Sequence, residues 1–188
     1  MNWDPVHDGR TAFLAAMRAL CAPGTPIVLP TRPTVSERAE LDGAAAILLA
    51  LLDRGLSLGV AGGSTAERTA ALVAQVTGAA HGDVADADWV LADGPAADAI
   101  TRARRGTRLA PEQGATVVIA AAGEPMPMSI SGPGVRGSER AFVALDPVAI
   151  HAFSAANAAP PCGVDVLVVT AECLIGLPRS VSIRHEAA

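Results

Sequence analysis

The hydrophobic pattern is strongest near the C-terminus, where two apolar runs flank a short break. Residues 166–169 are apolar at every position, residues 170–172 are polar or small, and residues 173–177 form a second apolar run. Two such runs joined by turn-compatible residues predict a β-hairpin. A strand that is apolar on both faces is expected to be covered on both sides. The stretch over residues 161–183 therefore predicts a sheet with a layer on each face.

Helical and extended patterns alternate along the rest of the chain. A short edge strand is expected within residues 25–33, because the prolines there cannot donate ladder hydrogen bonds. Predicted helices surround Phe13, Met17 and Leu20, cover residues 42–53, 64–76 and 147–156, and follow Asp93 as a cap; predicted strands cover residues 56–61, 89–92, 116–122, 126–131 and 140–145. This interleaving predicts one α/β domain over residues 1–188, with a mixed, mostly parallel sheet and helices on both faces.

Several helix ends carry residues that are typical of caps. Asp42 and Asp146 are expected to cap the helices that begin beside them, and Gly55 suits the C-terminal end of the first of these helices. Ser64 and Glu67 have the spacing of a capping box, in which a hydroxyl and a carboxylate each satisfy a free amide.

Composition excludes several classes of function. The chain has a net charge of −5 at pH 7 and only 3% aromatic residues, which argues against nucleic-acid binding because phosphate contacts need a basic face. It contains no lysine and no tyrosine. Without lysine it can form neither a Schiff base with pyridoxal phosphate nor a Walker A phosphate site.

The cysteines and histidines give no sign of a metal site. The 3 cysteines include no C-x-x-C pair, and the 4 histidines are scattered singly, so we expect neither a disulfide framework nor bound metal. The first residues are polar, unlike a signal peptide, and the longest apolar run, residues 44–52, is too short to cross a bilayer. We expect a cytoplasmic protein without membrane contact.

A candidate ligand site follows the strand predicted over residues 56–61. Gly62, Gly63, Ser64 and Thr65 lie between that strand and a helix, where α/β proteins bind phosphate through free amides. The stretch matches neither G-x-G-x-x-G nor a P-loop, so a plain capping turn is favoured over a phosphate cradle.

Other reactive or acidic side chains have structural explanations. Cys162 could act as a nucleophile, but no histidine is near it in sequence, so an inert thiol is favoured. Solvation explains the acids in predicted turns, which are Glu112, Glu124, Glu139 and Glu172.

Asp165 and Arg179 flank the predicted hairpin. With a turn centred on Glu172, Asp165 would face Arg179, and the opposite charges would fix the strand register. This structural role is favoured over ligand binding. Pro178 is expected at a strand end, since it cannot donate to a ladder.

Four stretches, taken in order, carry a resemblance to a known family. They are Asp4-Pro5-Val6 leading through Phe13 and Met17 to Pro23-Gly24; Gly106 with Ala110-Pro111-Glu112-Gln113-Gly114-Ala115-Thr116; Ser131-Gly132-Pro133-Gly134-Val135; and Pro161-Cys162-Gly163-Val164-Asp165 with Leu177-Pro178-Arg179-Ser180. Together they resemble the PhnH family, the H subunit of the bacterial carbon–phosphorus lyase system. Cys162 departs from the aliphatic residue expected there, and residues 32–88 match mainly in pattern.

The resemblance implies a fold similar to the large domain of pyridoxal-phosphate-dependent transferases, without any cofactor. It implies work with the G and I subunits, which exchange the adenine of ATP for a phosphonate to give a ribose 1-phosphonate 5-triphosphate. The J subunit, a radical enzyme, then cleaves the carbon–phosphorus bond. The resemblance also implies a homodimer for the isolated subunit and no catalytic residue.

Two functions are therefore open. The first is a non-catalytic accessory subunit of this complex. The second is an independent small-molecule enzyme or nucleotide- or phosphonate-binding protein, with the Gly62-Gly63-Ser64-Thr65 turn as its cradle and Arg179 or Arg136 replacing the missing lysine. Partner contacts are expected at two turns, because a turn presents a fixed backbone. The alternative is that each turn serves only to reverse the chain. The two turns are Gly132, Pro133 and Gly134, and Pro111, Glu112 and Gly114.

Overall fold

The computed structural model describes residues 2–94 and 96–185. Within these residues the helices are α1 (His7–Cys21), α2 (Ala39–Leu51), α3 (Ser64–Thr77), α4 (Ala96–Arg102) and α5 (Pro147–Ala156), with a 3₁₀ turn at Pro111–Gln113. The strands are β1 (Ile27–Val28), β2 (Ser57–Ala61), β3 (Ala80–His81), β4 (Trp89–Asp93), β5 (Thr116–Ala120), β6 (Met126–Ser131), β7 (Ser138–Val143), β8 (Asp165–Val169), β9 (Cys173–Leu177) and β10 (Ser182–His185).

The main sheet has the strand order β1-β9-β8-β5-β4-β2-β3 among the described residues. Strands β3, β2, β4, β5 and β8 run parallel, whereas β9 is antiparallel to β8 and β1 is antiparallel to β9. The expected mixed, mostly parallel sheet is confirmed, and β1 forms an edge of it as predicted.

A second, antiparallel sheet has the order β10-β6-β7. Residues 126–131 form β6 as predicted, but β7 lies two residues earlier than the predicted strand over residues 140–145. These strands were expected in one mixed sheet. They pair with each other and with β10 instead, because strand partners are chosen by tertiary packing rather than by the local pattern.

Both faces of the main sheet are covered. Val117 and Ile119 of β5 pack into one apolar cluster with α4, α5 and the second sheet. Val118 and Ala120 point to the other face and pack with α1, α2 and α3. This alternation explains why the central strands are apolar at every position. No helix in the described part of the chain has the length and apolar character that a membrane span requires.

The hairpin is present, but its predicted register is wrong by one residue. Val169 pairs with Leu174, so the turn closes between Thr170 and Cys173 rather than centring on Glu172. The amide of Thr170 donates to the carbonyl of Cys173 at 2.9 Å, and the Thr170 hydroxyl accepts from the Cys173 amide at 3.0 Å. These local bonds favour a two-residue loop, which suits a hairpin.

The helix caps were predicted with mixed success. The Asp146 carboxylate accepts from the amide of Ala149 at 2.8 Å, which confirms this cap of α5. Asp42 does not cap α2, which begins at Ala39, and its carboxylate binds the amides of Val35 and Ser36 in the preceding loop. That loop competes for the carboxylate because its own amides lack strand partners.

Two further cap predictions are wrong. The C-cap of α2 is Leu52, while the amide of Gly55 donates to the Asp53 side chain in a following turn. Gly63, not Ser64, is the N-cap of α3, and no side chain caps that helix end. The capping box does not form because Ser64 already has helical backbone geometry, which removes its hydroxyl from the capping position.

Candidate functional site

The parallel strands change their direction of winding between β2 and β4. Helix α3 packs on one face of the sheet and follows β2, whose outer neighbour is β3. Helix α4 packs on the opposite face and links β4 to β5. Ligands of open α/β sheets bind at such a switch point, outside the carboxyl ends of the strands. We call this side of the main sheet the carboxyl edge and the opposite side the amino edge.

A cleft of about 770 Å³ opens at the carboxyl edge. The ends of β4 and β5 and the start of α5 form its walls, which are largely apolar and small. Its charged lining residues are Arg38, Asp93, Glu124 and Asp146, and its other lining residues include Ile119, Ala120, Ala121, Ala122, Met126 and Leu145. One arginine thus faces three carboxylates, so the cleft carries an excess of negative charge.

Arg38 is the centre of the charged cluster at this edge. Its Nη1 and Nη2 atoms donate to the two carboxylate oxygens of Asp93, each at 2.8 Å, and its Nε donates to Glu40 at 2.8 Å. The hydrogen bond to Asp93, followed by that to Glu40, raises the pKa of Arg38. Burial raises the pKa of Glu40, but its own backbone amide and Arg38 outweigh burial, so the pKa of Glu40 is lowered. The site is therefore a paired, fully charged cluster.

The loop before α2 positions Arg38 across the carboxyl edge. Asp42 holds the Ser36 amide and hydroxyl, each at 2.8 Å. Arg32 donates from Nη1 to the carbonyl of Ala171 at 2.6 Å, which ties the loop to the hairpin turn. The sequence did not single out Arg38, because Asp93 is 55 positions away and no local spacing links the two.

The turn at Gly62 is brought against this cluster. A Cβ atom on Gly62 would lie 3.0 Å from both the Cβ and the carbonyl oxygen of Asp93. Thr65, two residues into α3, lines a second pocket of about 400 Å³ that shares Arg38 with the larger cleft. Arg68 donates to the Thr65 hydroxyl at 3.1 Å. The predicted turn therefore lies beside two arginines, Arg38 and Arg68, neither of which was predicted as a site residue.

The arginines that were expected to serve this turn do not lie beside it. Arg179 binds Asp165, the first residue of β8, and so belongs to the amino edge. Arg136 is not among the residues that line the cavities described at the carboxyl edge. For Arg179 this part of the second function hypothesis is wrong, because the register of β8 and β9 carries Arg179 to the opposite side of the sheet.

Arg179 and Asp165 form a closed cluster at the amino edge. The Asp165 carboxylate accepts from Arg179 through the backbone amide at 2.7 Å, Nε at 3.0 Å and Nη2 at 2.6 Å. The pair therefore forms even though Val166 pairs with Leu177, which places Pro178 rather than Arg179 opposite Asp165. Pro178 directly follows β9, where its missing donor is harmless.

The same arginine clamps the turn at Pro111–Gln113. Its Nη1 donates to the Pro111 carbonyl at 2.6 Å, and its Nη2 donates to the Gly114 carbonyl at 3.3 Å. Arg104 adds a bond from Nε to the Gln113 carbonyl at 2.6 Å. This turn is thus held by two arginines, while Glu112 remains exposed. Its role in partner contact stays a prediction.

Glycines permit the close contacts around these turns. Gly163 has φ +156°, and a Cβ there would collide with the Asn157 side chain. In the other predicted contact turn, Gly132 and Gly134 have φ +127° and +86°, and Gly134 packs against Pro23. Pro133 lies between them. The geometry explains why these positions need glycine, and contact with partners remains a prediction for them as well.

No cysteine or histidine of the described residues lines the two cavities described above, whereas Cys173 lines a third cavity of about 460 Å³ at the same edge. Cys162 is partly buried, and neither Cys162 nor any histidine of the described residues lines these cavities. In the same part of the chain, no group of three or more His, Cys, Asp or Glu side chains is arranged to hold a metal ion. The site can therefore offer paired charges, hydroxyls and backbone amides.

Comparison with protein families gives one match. A family model described as "Bacterial phosphonate metabolism protein (PhnH)" matches residues 2–184. No curated protein matches the chain significantly.

Proposed function

The chain belongs to the PhnH family of bacterial phosphonate metabolism proteins, and we propose that it acts there as a non-catalytic accessory subunit of the carbon–phosphorus lyase complex. Its partners in this proposal are the G, I and J subunits. It supports the step in which phosphonate is transferred to the ribose C1 of ATP with loss of adenine. The isolated chain is proposed to be a homodimer, and the complex to act in the cytoplasm.

The observation that carries this proposal is that two of the three carboxylates in the 770 Å³ cleft, those of Asp93 and Asp146, are held by structural partners. Asp93 is engaged by Arg38 through two hydrogen bonds, and Asp146 caps α5 through the Ala149 amide. A general base needs a lone pair that can reach substrate, and these two carboxylates are already committed to structural partners. The arrangement favours a scaffold over a catalytic centre.

The side chains that line the cleft also argue against covalent catalysis. Lysine and tyrosine are missing from the sequence, and Cys162 lines none of the cavities described at the carboxyl edge. A nucleophile needs an adjacent base within hydrogen-bond reach to be activated at neutral pH. Nothing among the residues that line the cleft meets that requirement, which supports an accessory role.

A reconstitution experiment tests the proposal. The G and I subunits are purified with and without this chain, and release of adenine from ATP is measured in the presence of methylphosphonate. We expect the chain to co-elute with the other subunits and to increase the yield of the ribose phosphonate. The chain alone is expected to release no adenine.

Two results would contradict the proposal. Adenine release by the isolated chain would make it an enzyme in its own right. Failure to co-elute with the G, I and J subunits would rule out the assembly role. Cooperative unfolding of the same preparation is the control that shows the chain is folded. Light scattering on the isolated chain tests the homodimer separately.

A further inference from the structure

We propose that the pocket between the loop before α2 and the first turn of α3 binds a tetrahedral oxyanion, namely a phosphate or phosphonate group. The pocket has a volume of about 400 Å³. It is lined by Val35, Ser36, Glu37, Arg38, Thr65 and Arg68. This binding site goes beyond the accessory role and does not depend on it.

The balance of charge distinguishes this pocket from the larger cleft. Two arginines and one carboxylate, the exposed Glu37, line the small pocket. The larger cleft shares Arg38 but adds three carboxylates. An anion is therefore attracted to the small pocket and repelled by the larger cleft, even though the larger cleft has more room.

Hydrogen-bond donors remain available in the pocket. A guanidinium has five N–H donors, and Arg38 directs three of them to Asp93 and Glu40. Arg68 has no carboxylate partner among the described residues, and its one hydrogen bond there goes to Thr65. The Thr65 hydroxyl accepts that bond and keeps its own proton to donate. Two guanidiniums and a hydroxyl thus converge on one space.

The backbone adds to these side chains. No side chain caps the start of α3, and the Cβ position of its N-cap, Gly63, has no atom within 4 Å. The first amides of α3 therefore have no side-chain partner, and Thr65 of this first turn lines the pocket. Gly62 allows the turn to approach Asp93 closely, which holds Thr65 beside the loop that carries Arg38.

The donor set selects the class of anion. Arginine presents parallel N–H groups that match two oxygens of a phosphoryl or phosphonyl group. Donors that approach from α3 and from the loop before α2 suit an anion with oxygens on more than one side. A planar carboxylate can satisfy fewer of them, so acetate is expected to bind much more weakly than methylphosphonate or inorganic phosphate.

Calorimetric titration at constant ionic strength tests the site with methylphosphonate, inorganic phosphate and acetate. Arg68→Gln is expected to weaken binding of both tetrahedral anions about tenfold, because it removes the unpaired guanidinium. Thr65→Val keeps the side-chain shape and is expected to weaken binding about threefold. Arg18→Gln, which removes an exposed arginine from α1, is the matched control and should leave the affinity unchanged.

A nucleoside triphosphate forms a further arm of the titration. Tighter binding of the triphosphate than of methylphosphonate identifies a nucleotide as the source of the phosphoryl group. Tighter binding of methylphosphonate identifies the free phosphonate. Either ranking supports the proposal, provided that Arg68→Gln weakens the binding.

Three results would overturn the inference. They are the lack of saturable binding for every tetrahedral anion, wild-type affinity in both Arg68→Gln and Thr65→Val, and an equal loss of affinity in Arg18→Gln. Arg68 is exposed, so its variant should fold, and a thermal melt checks this. Thr65→Val decides the outcome if the Arg68 variant does not fold. Co-elution with the G and I subunits reports on the accessory role independently.

Discussion

Two arginine–aspartate pairs lie at opposite edges of the main sheet, Arg179 with Asp165 at the amino edge and Arg38 with Asp93 at the carboxyl edge. In both pairs the arginine side chain makes two contacts to the carboxylate. The pairs differ in the other hydrogen bonds that the arginine makes. Arg179 also donates to the carbonyls of Pro111 and Gly114, so four of its five N–H donors are engaged by the protein. Arg38 keeps donors that face a pocket and is 38% exposed, against 20% for Arg179.

The difference shows how one kind of ion pair can serve two purposes. An arginine that binds backbone carbonyls as well as a carboxylate holds a loop in place and keeps few donors for a ligand. Arg38 is oriented by two carboxylates and keeps two of its five N–H donors, which can still receive an anion. The number of uncommitted donors, rather than the presence of the pair, separates the structural cluster from the candidate site.

The largest effect is expected when the closed cluster is broken. Arg179→Ala should lower the free energy of unfolding by about 3 kcal/mol, because it removes both side-chain bonds to the Asp165 carboxylate and leaves two carbonyls without their donor. Chemical denaturation measures the loss. Arg102→Ala, which removes a more exposed arginine with 3.3 Å contacts, should leave stability nearly unchanged, because solvent screens its ion pairs. An unfolding curve for Arg179→Ala that matches the parent would refute the structural role of the pair.

A matched pair of glycine substitutions compares the packing of the two edges. A Cβ on Gly114 would collide with the Gly163 carbonyl and the Arg179 guanidinium, whereas a Cβ on Gly62 would lie 3.0 Å from its nearest atoms. Gly114→Ala is therefore expected to cost about 2 kcal/mol and Gly62→Ala about 1 kcal/mol. Neither glycine has a positive φ, so the contrast is steric. Equal losses in thermal and chemical unfolding would show that the edges are packed alike.

Neutralising the aspartate of the open cluster should have a smaller effect on stability. Asp93→Asn is expected to cost about 1 kcal/mol, because Arg38 keeps Glu40 and can be solvated. The same variant should bind methylphosphonate more tightly, since less negative charge then faces Arg38. Denaturation and calorimetry on one preparation measure both quantities. A loss as large as that of Arg179→Ala would contradict the proposed difference between the edges.

The smallest effect concerns the response to acid. Burial raises the pKa of Asp88, but hydrogen bonds from Ser57 and then Arg104 outweigh it, so the pKa is lowered. A carboxylate with a lowered pKa in the folded state stabilises the protein above its ordinary pKa of about 4, and this contribution is lost as the pH falls. Asp88→Asn should therefore flatten the decline in unfolding free energy between about pH 5 and pH 3. An unchanged slope would show that these bonds do not stabilise the folded state.

Local signals in the sequence predicted the elements whose geometry is set by near neighbours. Asp146 before Pro147 predicted the cap of α5, and the strand over residues 126–131 was predicted with its correct bounds. The hairpin was found, but its register was missed because the Thr170 hydroxyl tightens the turn. The prediction that Asp42 caps α2 failed for a related reason, since its carboxylate accepts from the Ser36 amide in the loop before α2.

The candidate site was predicted only in part. The turn beginning at Gly62 was recognised from its place between a strand and a helix, which is a local property. Arg38 was not recognised, because its partner Asp93 meets it only after β2 and β4 pair and α2 packs beside α3 on the same face of the sheet. The sequence allowed two roles for Arg179, as the ion-pair partner of Asp165 and as a ligand-binding residue beside Gly62. Only the strand register places it beside Asp165 at the amino edge.

By itself, the sequence determined the α/β class, the central strands covered on both faces, and the lack of a lysine for a Schiff base or a Walker A site. Periodicity and composition can be read along the chain without knowing which distant segments meet. The four ordered stretches also led to the family that the match over residues 2–184 shows. Tertiary structure alone decided the second sheet, the hairpin register and the separation of two similar arginine–aspartate pairs. Those features depend on which distant strands meet, and the free energy that selects such pairings comes from the packed core as a whole.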